Sequence, residues 1–127
     1  MSRKIIKTDQ APEAIGPYSQ AISVGGFVFV SGQIPLDPKT NTMIEADIAG
    51  QSKQVLENAK AVLAAAGCGM QHVVKTTIYL KNMSDFSAVN EVYGVYFPGA
   101  YPARATVEVA RLPKDAGVEM DFIAWKE

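Results

Sequence analysis

Four consecutive apolar residues, Phe27-Val28-Phe29-Val30, most constrain what this 127-residue chain can fold into. They follow Gly25-Gly26, a two-residue hairpin signal. Before the glycines runs an alternating segment, Tyr18 to Val24, with Tyr18, Gln20, Ile22 and Val24 on one side and Ser19, Ala21 and Ser23 on the other. A strand that is apolar on both sides needs cover on both sides. Any fold for this chain must therefore give one sheet two covers.

The rest of the chain supplies only one of them. Residues 3–8 read as a short strand, and residues 9–17 as a loop broken by Pro12, Gly16 and Pro17. Ser31-Gly32-Gln33-Ile34-Pro35 ends the apolar strand, and Asp37-Pro38-Lys39-Thr40-Asn41 is a turn cluster. A long helix is predicted from Asp47 to Ala66, because Ile48, Val55, Leu56, Ala59, Val62, Leu63 and Ala66 recur at spacings of three and four. Gly67 suits the left-handed residue that ends it. Val73–Leu80 is the next strand. Asn82 or Ser84 can cap a second helix whose stripe is Phe86, Val89, Tyr93 and Tyr96, and Pro98-Gly99 stops it. Residues 103–111 and 118–125 are the last strands. The order β-β-β-α-β-α-β-β predicts an α+β fold, a mixed six-stranded sheet with two helices on one face. The uncovered face argues for an oligomer.

Length and mass, 13.6 kDa, suit a single domain over residues 1–127, with no repeat or linker. Hydrophobic residues make up 48% of the chain, which excludes disorder as the dominant state. A net charge of -1 with no basic run argues against nucleic acid as the main partner. A lone cysteine points to a reducing compartment. The basic start, from Met1 to Lys7, lacks the apolar stretch of a signal peptide. No helical segment approaches the roughly 20 apolar residues that cross a membrane. The expected location is cytoplasmic.

Common cofactor and nucleotide motifs are missing, so no cofactor and no metal is expected. His72 is the single histidine; paired with Cys68 it gives two ligands, short of a zinc set. Cys68 reads as a small core or loop residue. The informative residues are Arg104, in Pro102-Ala103-Arg104-Ala105-Thr106-Val107, and Glu119, in Val118-Glu119-Met120. Strand period puts Ala105, Val107 and Val109 toward the helices, with Arg104, Thr106 and Glu108 opposite. Met120 and Phe122 also go toward the helices, so Glu119 is expected on Arg104's side. An arginine fork binds carboxylate bidentately, and a nearby glutamate can hold and deprotonate water. The alternative is an Arg104–Glu119 ion pair at a subunit contact.

Taken together, Gly16-Pro17-Tyr18-Ser19-Gln20-Ala21, Val30-Ser31-Gly32-Gln33-Ile34-Pro35, Val89-Asn90-Glu91-Val92-Tyr93, Pro102-Ala103-Arg104-Ala105 and Val118-Glu119-Met120 resemble the RidA/YjgF/YER057c/UK114 family of reactive-intermediate deaminases. The resemblance implies a Bacillus chorismate mutase-like fold. It also implies a homotrimer with a central β-barrel and intersubunit clefts. The last strand is then expected between the third and fourth strands, antiparallel to both, with Glu119 near Ser31 and Gly32. The implied activity is hydrolysis of 2-iminobutanoate and 2-iminopropanoate, products of pyridoxal-phosphate-dependent dehydratases, to 2-oxo acids and ammonia. On this resemblance Arg104 clamps the substrate carboxylate and Glu119 positions water. Tyr18, Ser31, Gly32, Asn90 and Thr106 line the cleft, Thr106 through its main chain where many members carry Cys. Competing readings are a non-catalytic 2-oxo-acid sensor or holdase using the same cleft, and an endoribonuclease or translation inhibitor, which the charge and the single histidine disfavour.

Overall fold

A computed structural model describes residues 2–127, so Met1 of the basic start lies outside the described residues. The apolar hairpin forms where the glycines place it. Strand β2 (Ala21–Val24) turns into β3 (Phe27–Gln33) through Gly25 and Gly26, with φ of 56° and 84°. Positive φ at both positions is the type I′ geometry that matches strand twist, and glycine adopts it without steric cost.

Around this hairpin lies a six-stranded mixed sheet in the order β1-β2-β3-β8-β6-β7. Its other strands are β1 (Lys4–Ile6), β6 (Val73–Leu80), β7 (Ala103–Glu108) and β8 (Val118–Trp125). β8 sits between β3 and β6 and is antiparallel to both, as the family resemblance implied. β6 and β7 are parallel, the pairing that a helical crossover requires. The turn cluster after Pro35 is itself a small hairpin of β4 (Leu36–Asp37) and β5 (Thr42–Met43). Asn41, at φ 59°, turns its corner, and its Oδ1 accepts the Glu13 N–H at 2.9 Å.

Helices α1 (Ile48–Ala65) and α2 (Phe86–Val95) both lie on one face of the sheet. Asp47 caps α1 by accepting the Gly50 N–H at 2.9 Å, and Gly67, at φ 79°, follows its end. α1 buries Val55, Leu56, Ala59, Val62 and Leu63 in one core with Val28, Val30, Ile78, Met120 and Phe122 of the sheet. Asn58 is buried with them, and its amide donates to the Leu36 carbonyl at 2.9 Å, fixing the small hairpin to the helix. The cap expected for α2 is absent. A 3₁₀ turn, Met83–Asp85, leads into the helix, and neither Asn82 nor Asp85 makes a side-chain cap bond.

Strand limits differ where ladder partners run out. β1 and β7 are edge strands, so they pair over Lys4–Ile6 and Ala103–Glu108 rather than 3–8 and 103–111. Tyr18, Ser19 and Gln20 precede β2 instead of joining it. β3 runs on to Gln33, because a bulge carries it past Ser31 and Gly32.

The far face of the sheet is open. Phe27, Phe29 and Trp125 are 42%, 44% and 42% exposed there, beside Ile5 and Val107. The two-sided apolar strand thus has one of its two covers within the chain.

Candidate functional site

The bulge in β3 builds the first half of the site. Val30 pairs with Phe122 and Gln33 with Met120, so three steps along β3 match two along β8. The extra residue bends the ladder at Ser31-Gly32 and turns that segment toward Glu119. Contact is so close that a Cβ on Gly32 would collide with the Glu119 carboxylate. Ser31 Oγ donates to the Ser19 carbonyl at 2.5 Å, and the Ser31 N–H donates to the Gln20 carbonyl at 3.0 Å. Gln20 is buried and organises the loop before it. Its amide nitrogen donates to the Pro12 carbonyl at 2.8 Å, and its oxygen accepts the Thr8 N–H at 2.7 Å. Together these residues wall a cleft of about 580 Å³ that also holds Tyr18, Glu13 and Lys114. Glu119 is half-buried, and that burial pushes its carboxyl above the usual glutamate value, with the Asp121 charge adding to the rise.

Arg104 builds the second half. Thr76 and Arg104 are partners in the β6–β7 register, and Thr76 is fully buried on the helix side. Arg104 therefore points toward α2. Its guanidinium lies 5.0 Å from the Tyr93 ring centre and 5.5 Å from that of Phe86. Nη1 donates to Asn90 Oδ1 at 2.6 Å. Two aromatic faces and an amide thus fix the plane of the fork. Tyr93 is locked in turn by its hydroxyl contact with Thr76 at 2.7 Å, and burial raises its phenol pKa. A cleft of about 500 Å³ opens beside the fork, lined by Asn90, Tyr93, Gly94, Tyr101, Pro102 and Arg104. Thr106 follows on the same face, paired with Ile78, and its buried Oγ1 has no hydrogen-bond partner among the described residues.

One expectation is overturned here. Arg104 and Thr106 face the helices, whereas Ala105 and Val107 face the open side. Glu119 pairs with Tyr79 on the open side, so Arg104 and Glu119 lie on opposite faces of the sheet. Apolar residues are expected toward the helices only where the other face meets water, and here the open face of the sheet is apolar as well, with Phe27, Phe29 and Trp125 on it. The arginine fills the helix side because the rings of Phe86 and Tyr93 accept a cation. Within one chain the two residues form no ion pair; the one salt bridge among the described residues joins Lys81 and Asp115.

Tyr18, Ser31, Gly32 and Glu119 are thus brought together, and Asn90, Arg104 and Thr106 are brought together apart from them. Phe86, Tyr93 and Tyr101 are site residues that the sequence pattern alone does not single out. The first two were visible only as a helix stripe, and their seven-residue spacing already put them on the face that meets Arg104. Cys68 is a buried core thiol, and His72 Nδ1 accepts the Gly69 N–H at 2.9 Å, a local turn bond.

Fold and clefts define a small α+β protein that presents a braced arginine fork on one side and a half-buried carboxylate on the other. The Endoribonuclease L-PSP family model matches residues 8–126. A RutC family protein of Pyrococcus abyssi is 54% identical over 127 residues, covering 100% of both chains. A mouse protein named 2-iminobutanoate/2-iminopropanoate deaminase is 48% identical over 122 residues, 96% of this chain and 90% of that one. The crystal structure of RidA from an Antarctic Psychrobacter bacterium matches with TM-score 0.93 and 45% identity, over 97% of this chain and 99% of that one. The chain belongs to the Endoribonuclease L-PSP family, the RidA/YjgF group. No helix in the described residues is long and apolar enough to cross a membrane.

Proposed function

We propose that this chain is a cofactor-independent 2-iminobutanoate/2-iminopropanoate deaminase, active in the cytoplasm as a homotrimer. The observation that carries this reading is the division of the site: an arginine fork braced by Asn90, Tyr93 and Phe86 on one face and the half-buried Glu119 carboxylate on the other. A rotationally symmetric ring buries the open apolar face as a barrel, and it sets the Arg104 half of one copy against the Glu119 half of the next. The mouse relative's name supports the reaction.

The chemistry needs little apparatus. A protonated imine is already electrophilic, so orientation, a charge clamp and a held water suffice. Arg104 takes the substrate carboxylate in its fork while Asn90 keeps that fork in plane. Water on Glu119 attacks the imine carbon, and Glu119 accepts the proton released. The carbinolamine nitrogen takes that proton, the carbon–nitrogen bond breaks, and the hydroxyl proton passes through Glu119 to the departing ammonia as the carbonyl forms. One protonated imine and one water give one 2-oxo acid and one ammonium ion. The elevated proton affinity of Glu119 suits both halves of this transfer.

The test couples the protein to a pyridoxal-phosphate-dependent threonine dehydratase and follows imine lifetime and ammonia release, with sedimentation reporting assembly. Faster release by a trimer, lost in Arg104→Ala trimers, is the expected result. Unchanged imine decay with tight 2-oxobutanoate binding would instead make the chain a ligand sensor, and a stable monomer at micromolar concentration would remove the shared site.

A further inference from the structure

Two residues of the open face that line neither cleft adjoin Glu119. Asp121 follows it by two positions on β8 and so projects from the same face. Tyr79 of β6 stands directly opposite Glu119 in the ladder, and its hydroxyl donates diagonally to Asp121 Oδ2 at 2.9 Å. Thr77 lies opposite Asp121. A carboxylate held by a phenol thus sits next to the carboxylate that walls the cleft. The bond to Asp121 holds the proton on Tyr79 and raises the phenol pKa, so the phenol stays a donor to the Asp121 carboxylate.

We propose that Asp121, held in place by Tyr79 two positions along the same strand face, is a positioning residue that acts through Glu119. This rests on the deaminase reading, in which Glu119 must take a proton from water and return it. Fixed negative charge at short range disfavours the ionised form of a neighbouring acid and makes it a stronger base. Tyr79 prevents Asp121 from relieving that repulsion by turning away. Within one chain the other charged and titratable groups facing Glu119 are Glu13, Tyr18 and Lys114 in the cleft and Lys75 farther along β6, level with Ile123, and in the proposed trimer the Arg104 guanidinium of the next copy faces it as well. Lys114 and Lys75 oppose the effect of Asp121, and Glu13 adds to it. Asp121 is the anion fixed on Glu119's own strand face, and it is the second cause, after burial, of the raised Glu119 value.

The experiment compares wild type, Asp121→Asn, Asp121→Glu and Glu119→Gln, each as the assembled protein. It records the acid-side midpoint of kcat against pH. It also records the Glu119 carboxyl titration by carbon NMR, with the signal assigned from its loss in Glu119→Gln. Asp121→Asn should move both midpoints to lower pH, toward the ordinary glutamate range, and reduce kcat at the optimum. Asp121→Glu, which keeps the charge, should return both midpoints toward wild type, whereas a merely structural role would make the two variants alike. Inactive Glu119→Gln with Asp121→Asn midpoints equal to wild type overturns this inference and leaves the deaminase reading standing. Wild-type turnover in Glu119→Gln overturns that reading instead, and the NMR titration then decides whether Asp121 governs Glu119.

Discussion

Adding one methyl group at Gly32 tests the site without touching a charged residue. The Gly32 backbone is not in the left-handed region, so alanine adds no backbone strain there. The cost is steric and local: the new Cβ would overlap the Glu119 carboxylate, with the carboxyl carbon only 2.9 Å away. Ordinary carbon contacts lie at about 3.5–4 Å, so the head of Glu119 must move by something on the order of 1 Å. Its side chain is flexible, and leaving a preferred rotamer costs about 0.5–1.5 kcal/mol. A melting temperature lowered by no more than several degrees follows, with assembly intact. Activity should respond far more, because misplacing a reacting group by about 1 Å costs on the order of 100-fold. The assay is ammonia release per assembled trimer in the coupled dehydratase reaction, beside a thermal melt and 2-oxobutanoate binding. Gly32→Ala should lose roughly two orders of magnitude in kcat while retaining binding through Arg104. Full turnover in a folded Gly32→Ala trimer would refute the assignment of Glu119 as the water-holding base.

Three further outcomes are expected. Arg104→Lys keeps the charge but loses both the planar fork and its stacking on Tyr93 and Phe86, so 2-oxobutanoate binding measured by calorimetry should not be rescued relative to Arg104→Ala. Glu119→Gln should abolish turnover yet stabilise the fold at neutral pH. A carboxyl whose folded pKa is raised contributes stability that is full below its unfolded value and is lost as pH rises through the folded one, so the melting-temperature gap to wild type should open across that window and then stay flat. Thr106→Cys should leave turnover nearly unchanged, because the Thr106 hydroxyl has no partner to lose among the described residues; a large fall in an intact trimer would contradict this.

Legibility followed the range of the forces involved. Helix α1, strands β6 and β8 and the glycine turn were readable to within a residue, because period, capping and φ > 0 are local properties. Edge strands were overextended because a ladder ends where its partner ends, which no local pattern records. The small β4–β5 hairpin escaped for a related reason. Its two-residue strands are too short to show a period, and Asn58, more than twenty positions away in sequence, fixes them to α1.

The side of the sheet to which Arg104 points was the least legible feature, and the reason bears on function. Alternation in Ala103-Arg104-Ala105-Thr106-Val107 is unambiguous, but it fixes only which residues share a face. Choosing the face needs a rule, and the usual rule sends apolar residues toward the helices. That rule holds where the opposite face meets water. Here the opposite face carries Phe27, Phe29, Val107 and Trp125, an apolar surface of its own, so the rule has no purchase on an edge strand. Arg104 then goes to the side with the better partners, two aromatic rings and the Asn90 amide. The same open face that defeats the parity rule is what makes an oligomer necessary on the proposed reading. Separation of Arg104 from Glu119 within one chain is therefore a consequence of the sheet having two apolar sides, and on the proposed reading the next copy of the chain is what joins them.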